Sequence, residues 1–165
     1  MVLGFVMFCI ASVFLLNTAG AFGLVSEEET APWNIIMGGL VLAVVIIGIA
    51  EQMFQEGTFW WAAQVILFAM TYLMLGVNTI RKTDGRGLGW FCLFVAVTVI
   101  VPASQTFAAG DMRLGILWVV WGIVWFLFFI MLGLQKPIGK FVRWIQVATL
   151  FTLWVPALMI LTGNW

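Results

Sequence analysis

Trp118, Trp121 and Trp125 stand at i, i+3 and i+7 in an uninterrupted apolar run, so on a helix three indoles share one stripe. Upstream, Gln64, Phe68, Thr71, Leu75 and Asn78 recur at spacings of four, three, four and three, with Tyr72 beside them. Aromatic faces can hold a flat solute, and indole N–H and phenol groups can hydrogen-bond one. The same residues also suit plain packing. Bulky rings fill cores, and polar side chains in a membrane span bond between helices for about 0.6–2 kcal/mol each, the use we favour for Asn78 and Asn17. Gly115 and Gly122, on the face next to the indoles, permit close helix approach and argue that this side is packed rather than lipid-exposed. A fourth indole, Trp154, stands just before Pro156.

The chemistry that is missing narrows the choice further. The chain has no histidine, and its apolar runs hold no Asp, Glu, Lys or Arg. Proton relays, voltage sensors and most ion-coupled pumps need such intramembrane groups. Sodium coupling through backbone carbonyls alone stays open. A hydrolase is equally hard to build without a histidine, a carboxylate pair or a nucleophile beside a base, so no enzyme is expected. Cys9 and Cys92 lie deep in apolar runs at no metal-ligand spacing, and no metal or other cofactor is expected. What remains is passive permeation of a neutral solute, or a purely structural role.

These side chains must be positioned by membrane helices. Hydrophobic residues make up 64% of the chain and charged residues 8%, too few charges for a soluble domain and no basic patch for nucleic acid. The charges are clustered and leave uncharged windows at 1–26, 30–50, 57–80, 87–110, 114–135 and 144–165. Each is long enough to cross a bilayer core of about 30 Å as a helix. The expectation is an all-α integral membrane protein, one domain over 1–165, with spans at about 3–24, 32–52, 58–80, 88–108, 114–135 and 142–163. The windows lack the alternation of barrel strands. The first lacks a basic leader and is too long for the apolar part of a signal peptide.

Basic residues set the expected orientation. Arg81, Lys82 and Arg86 follow span three and Lys136, Lys140 and Arg143 follow span five, with Arg113 alone opposite. The positive-inside rule makes those two loops cytoplasmic and puts both termini outside. Trp33, Trp60, Trp61, Trp90, Trp144 and Trp165 fall near span ends as interfacial anchors. Thr30-Ala31-Pro32 is the expected cap of span two, and Asp84-Gly85-Arg86-Gly87 and Pro137-Ile138-Gly139 the other cytoplasmic turns.

Several runs in order resemble a known family. Trp118, Trp121 and Gly122-Ile123-Val124-Trp125, then Lys136-Pro137-Ile138-Gly139-Lys140-Phe141, then Trp154-Val155-Pro156-Ala157, look like the bacterial urea and short-chain amide channels of the AmiS/UreI type. Thr71-Tyr72-Leu73 with Asn78, Leu93-Phe94-Val95-Ala96 ahead of Pro102, and Asn17 agree. The resemblance implies a six-helix protomer with its own pore, assembled as a homo-hexamer around a lipid-filled centre in the bacterial inner membrane. It implies a pore lined by Trp118, Trp121, Val124 and Trp125, by Phe68 and Tyr72, and by Met7, Ile10 and Phe14. The permeant would be urea or a small amide, made useful by a cytoplasmic urease or amidase. Two departures are visible. Acid-gated members have a longer, histidine-rich first external loop, whereas here it runs from about Glu51 to Gly57. Where some urea channels carry a further tryptophan and a helix-six carboxylate, this chain places Leu114 and an apolar residue near Ala148. In such a slot, Trp N–H groups and the Tyr72 hydroxyl would meet the permeant's carbonyl.

Overall fold

Leu24 donates its backbone N–H to Ala19 at 3.0 Å and Gly23 donates to Gly20 at 2.8 Å, with Gly23 at φ +75°. This left-handed closure satisfies the last carbonyls and ends the first helix at Ala21, short of the expected 24. A computed structural model of the protein describes residues 2–52 and 57–165, and all its regular elements among these are helical. They are α1 (Val2–Ala21), α2 (Glu27–Gln52), α3 (Thr58–Arg81), α4 (Arg86–Thr98), α5 (Ile100–Ala108), α6 (Met112–Phe128) and α7 (Gly139–Leu161), with a π-helical turn at Phe129–Gly133 continuing α6. Residues 53–56 of the expected external loop lie outside the described residues.

Six helical stretches of 20 to 25 residues are long and apolar enough to cross a bilayer. The fourth combines α4 and α5, which part at Val99. Pro102 has no N–H to give the carbonyl of Thr98, four residues back, so the ladder is interrupted there.

The start of α2 differs from expectation and the cause is local. Ser26 and Glu29 form a capping box: the Glu29 N–H donates to Ser26 Oγ at 3.2 Å, and the Ser26 N–H donates to Glu29 Oε2 at 3.0 Å. The helix therefore begins at Glu27, five residues ahead of Pro32, and Thr30 lies inside it with its hydroxyl donating to the Glu27 carbonyl at 3.0 Å. Ser26→Ala is expected to cost about 1 kcal/mol. Denaturant titration of the purified protein measures it, and an unchanged midpoint would show the cap to be dispensable.

The chain divides into two compact units, residues 1–83 with 153–165, and residues 84–152. In the first, α2 and α3 run antiparallel at very close range. A Cβ on Gly38 would lie 3.0 Å from the Ala69 carbonyl, one on Gly76 would lie 2.8 Å from the Ala31 carbonyl, and one on Gly48 would meet the Trp61 ring at 2.8 Å. Small residues at each crossing bring the backbones together, the usual way membrane helices gain contact. Asn17 of α1 and Asn34 of α2 exchange two amide hydrogen bonds of 2.9 and 2.7 Å, so Asn17 does bond between helices. Asn34, 1% exposed, is a buried amide that no motif singled out. In the second unit, a Cβ on Gly115 would strike the Phe107 ring at 2.5 Å, and one on Gly122 would meet Val99 at 2.8 Å. The glycine face of α6 is the side turned to α4 and α5.

Candidate functional site

The faces of α6 separate cleanly. Trp118, Trp121, Val124 and Trp125 are each between 4% and 6% exposed, whereas Ile116, Val119, Ile123 and Phe126 are between 45% and 54% exposed. The indole stripe is interior, and a mainly aliphatic face that includes Phe126 is outward, where lipid or another copy of the chain would meet it. Tryptophan on the outward face would have read as an anchor.

Within this stripe, Trp118 and Trp121 meet edge to face, ring centroids 5.3 Å apart and planes at 77°. Such pairs add about 0.5–1.5 kcal/mol beyond burial and limit both rotamers. Leu114, one turn earlier, is half-buried, and its backbone N–H donates to the capping carboxylate of Asp111 at 2.9 Å. The helix that carries the stripe thus has a fixed N-terminus.

The Trp121 indole N–H is engaged by protein. It donates to Thr152 Oγ1 of α7 at 3.2 Å, and the Thr152 hydroxyl donates in turn to the Thr149 carbonyl at 2.7 Å. Sequence reasoning passed over Thr149 and Thr152, although their three-residue spacing places both on one side of α7. Thr149 is 3% exposed and Gln146, one turn before it, is 6% exposed, while Ala148 is exposed. The inward positions at this level of the sixth span are therefore mixed, with Gln146 and Thr149 buried beside the apolar Leu150, at 6% exposure. Trp154 is 41% exposed and belongs to the outer surface of the chain.

In the other unit, Met7, Ile10 and Phe14 form the buried side of α1, at 2%, 1% and 7% exposure. Phe5, Phe8 and Leu15 face out. On α3, Phe68 and Tyr72 are buried, while Thr71 is half-buried and returns its hydroxyl to the Leu67 carbonyl at 2.7 Å. Gln64 likewise turns to its own helix, donating to the Trp60 carbonyl at 3.4 Å. Apolar side chains dominate the interior side of both helices, with Phe14 on α1 and Phe68 and Tyr72 on α3 as the buried rings.

The family model of AmiS/UreI family transporters matches residues 2–164. The chain belongs to the AmiS/UreI family. It is 32% identical over 162 residues to a Mycolicibacterium smegmatis protein named as a transporter of amidate substrates, covering 96% of this chain and 76% of that one. It is 29% identical over 194 residues to the acid-activated urea channel of Helicobacter pylori strain J99, covering 99% of each. The crystal structure of the H. pylori urea channel superposes with a TM-score of 0.88 at 27% identity, again over 99% of both chains. This AmiS/UreI protein is a multi-pass membrane protein of the transport class and not an enzyme, as its residue types led us to expect.

Proposed function

We propose that this protein is a passive channel for urea and small aliphatic amides. The observation that carries the reading is the buried indole stripe of α6 in a chain whose long apolar runs hold no Asp, Glu, Lys, Arg or His, taken with relatives named for urea and amidate transport. The pore wall in this reading is Trp118, Trp121, Val124 and Trp125 with Leu114 at its mouth, together with Phe68 and Tyr72 of α3 and Met7, Ile10 and Phe14 of α1. Flat ring faces accept a planar amide, and a few polar groups and water satisfy its hydrogen bonds. An ion would lose much more hydration free energy there, with no opposite charge to offset it. Flux then runs down the gradient, drawn inward where a cytoplasmic urease or amidase consumes the permeant.

The protomer is proposed to work as a homo-hexamer in the bacterial inner membrane, both termini outside. The outward apolar faces of its helices, aliphatic and aromatic, would supply the lipid and protomer contacts, and the Lys/Arg distribution supports the orientation. Proteoliposomes in iso-osmotic urea or acetamide test the reading directly. A passive channel swells them without an ion gradient. Swelling only under a sodium or proton gradient would make the protein a secondary transporter, and no swelling in either case would leave it a structural subunit.

Flux is expected to be flat between external pH of about 5 and 8. Histidine is the one side chain whose unperturbed pKa lies inside that range, and the chain has none. Stopped-flow swelling across the range measures this. A steep rise on acidification would reveal a carboxylate gate instead.

A further inference from the structure

The proposed slot wall includes an indole whose donor is already taken, and the direction of that bond is set by its partner. Thr152 donates its hydroxyl proton to the Thr149 carbonyl at 2.7 Å, leaving its oxygen to accept from Trp121 Nε1–H at 3.2 Å. Thr149 makes the same return to the Ile145 carbonyl at 2.8 Å, so its own hydroxyl proton is committed to the helix as well. The Trp118 ring, edge-on at 5.3 Å, borders the same indole. Trp121 is thus held at its nitrogen by α7 and against a neighbouring ring on its own helix.

We propose that Thr152 is a selectivity-positioning residue: by accepting the Trp121 N–H it withholds that donor from the permeant and locks the ring as an apolar wall of set width. The inference rests on the passive-channel reading and alters its chemistry at one point, since the Trp121 N–H is not a partner for the amide carbonyl. A buried donor left without an acceptor is costly, by more than a made bond is worth. With a valine at 152, the indole turns toward whatever acceptor it can reach, which in a pore is the amide carbonyl or water. The ring then loses its fixed orientation. Discrimination by width falls.

The test is a double-mutant cycle on full-length protein in proteoliposomes, reading the ratio of urea to butyramide permeability. Thr152→Val, which keeps shape and removes the hydroxyl, is expected to lower the ratio about fivefold, the worth of one net hydrogen bond. Thr152→Ser is expected to retain it. In a Trp121→Phe background, which has no N–H, Thr152→Val is expected to change the ratio no further. An unaltered ratio in Thr152→Val, or an equal drop in the Phe background, would overturn the positioning role while leaving the channel standing. A wild-type protein that conducts neither solute overturns both. Matching elution of all variants on size exclusion assigns the effect to the pore; collapse of Thr152→Val and Thr152→Ser alike would make Thr152 a folding residue and overturn the inference.

Discussion

Gly89→Ala is expected to abolish recovery of folded protein. A Cβ there would overlap the backbone nitrogen of Gly133 and lie 2.5 Å from its Cα, and backbone atoms cannot swing away as a side-chain tip can. Added methyl groups in tight cores cost about 1–3 kcal/mol when side chains can shift, and this site offers only a backbone. The opposing segment is the π-helical turn, where the Leu134 N–H reaches the Phe129 carbonyl at 3.0 Å, and Phe129 packs edge-on to Trp90 at 5.1 Å. Separating α4 from that turn would disturb this ring contact too. Gly87→Ala, two residues earlier on the same helix, is the control. Nothing lies within 4 Å of a Cβ at Gly87, so alanine there is expected to be tolerated. Size-exclusion profiles in detergent compare the two. A normal Gly89→Ala profile would refute the close approach of α4 and the π turn.

Truncating the indole stripe is expected to change selectivity more than folding. Trp121→Ala or Trp125→Ala should reduce discrimination between urea and butyramide while the oligomer elutes unchanged, because a pore wall borders space that solute or water can fill. If the rings are core instead, truncation opens a cavity that costs about 3–5 kcal/mol, and the assembly should fall apart in detergent. The burial of both rings, at 4% and 5%, is compatible with either environment, so elution and flux must be measured on the same preparations. Intact oligomer with unaltered selectivity would remove the stripe from the pore.

Much of the architecture was readable from charge spacing alone. Glu27, Arg81, Arg86, Arg113 and Lys140 mark helix ends because ionised groups are excluded from hydrocarbon, and that constraint needs no tertiary partner. Helix period likewise separated the interior of α6, since Trp118, Trp121 and Trp125 can share a side only at 3.6 residues per turn. Asn17 was legible as an interhelical donor because a polar side chain within a membrane span seeks a partner on another helix, but which partner was not. Which of several polar residues a buried amide meets depends on the crossing of α1 and α2, and Asn34 carries no mark in the sequence. The capping box at Ser26 was in plain view, S-x-x-E before an apolar run, and was outweighed by Pro32, which stands inside α2 and lacks only the N–H for the Glu28 carbonyl.

Tertiary structure decided the rest. Helix period puts Thr149 and Thr152 on one side of α7 but cannot say that this side meets Trp121, because bonds between helices follow from packing angles and not from spacing within one strand of sequence. The same holds for Gly89 and Gly133: each is an ordinary glycine in an apolar run, and only their opposition across two backbones makes both side-chain-free positions necessary. The sequence by itself determined that the chain enters a membrane, how many times, and which residue types could face a solute. The three-dimensional fold determined that the Trp121 donor is already bonded, to Thr152 of α7, because only packing brings those two helices to hydrogen-bonding distance.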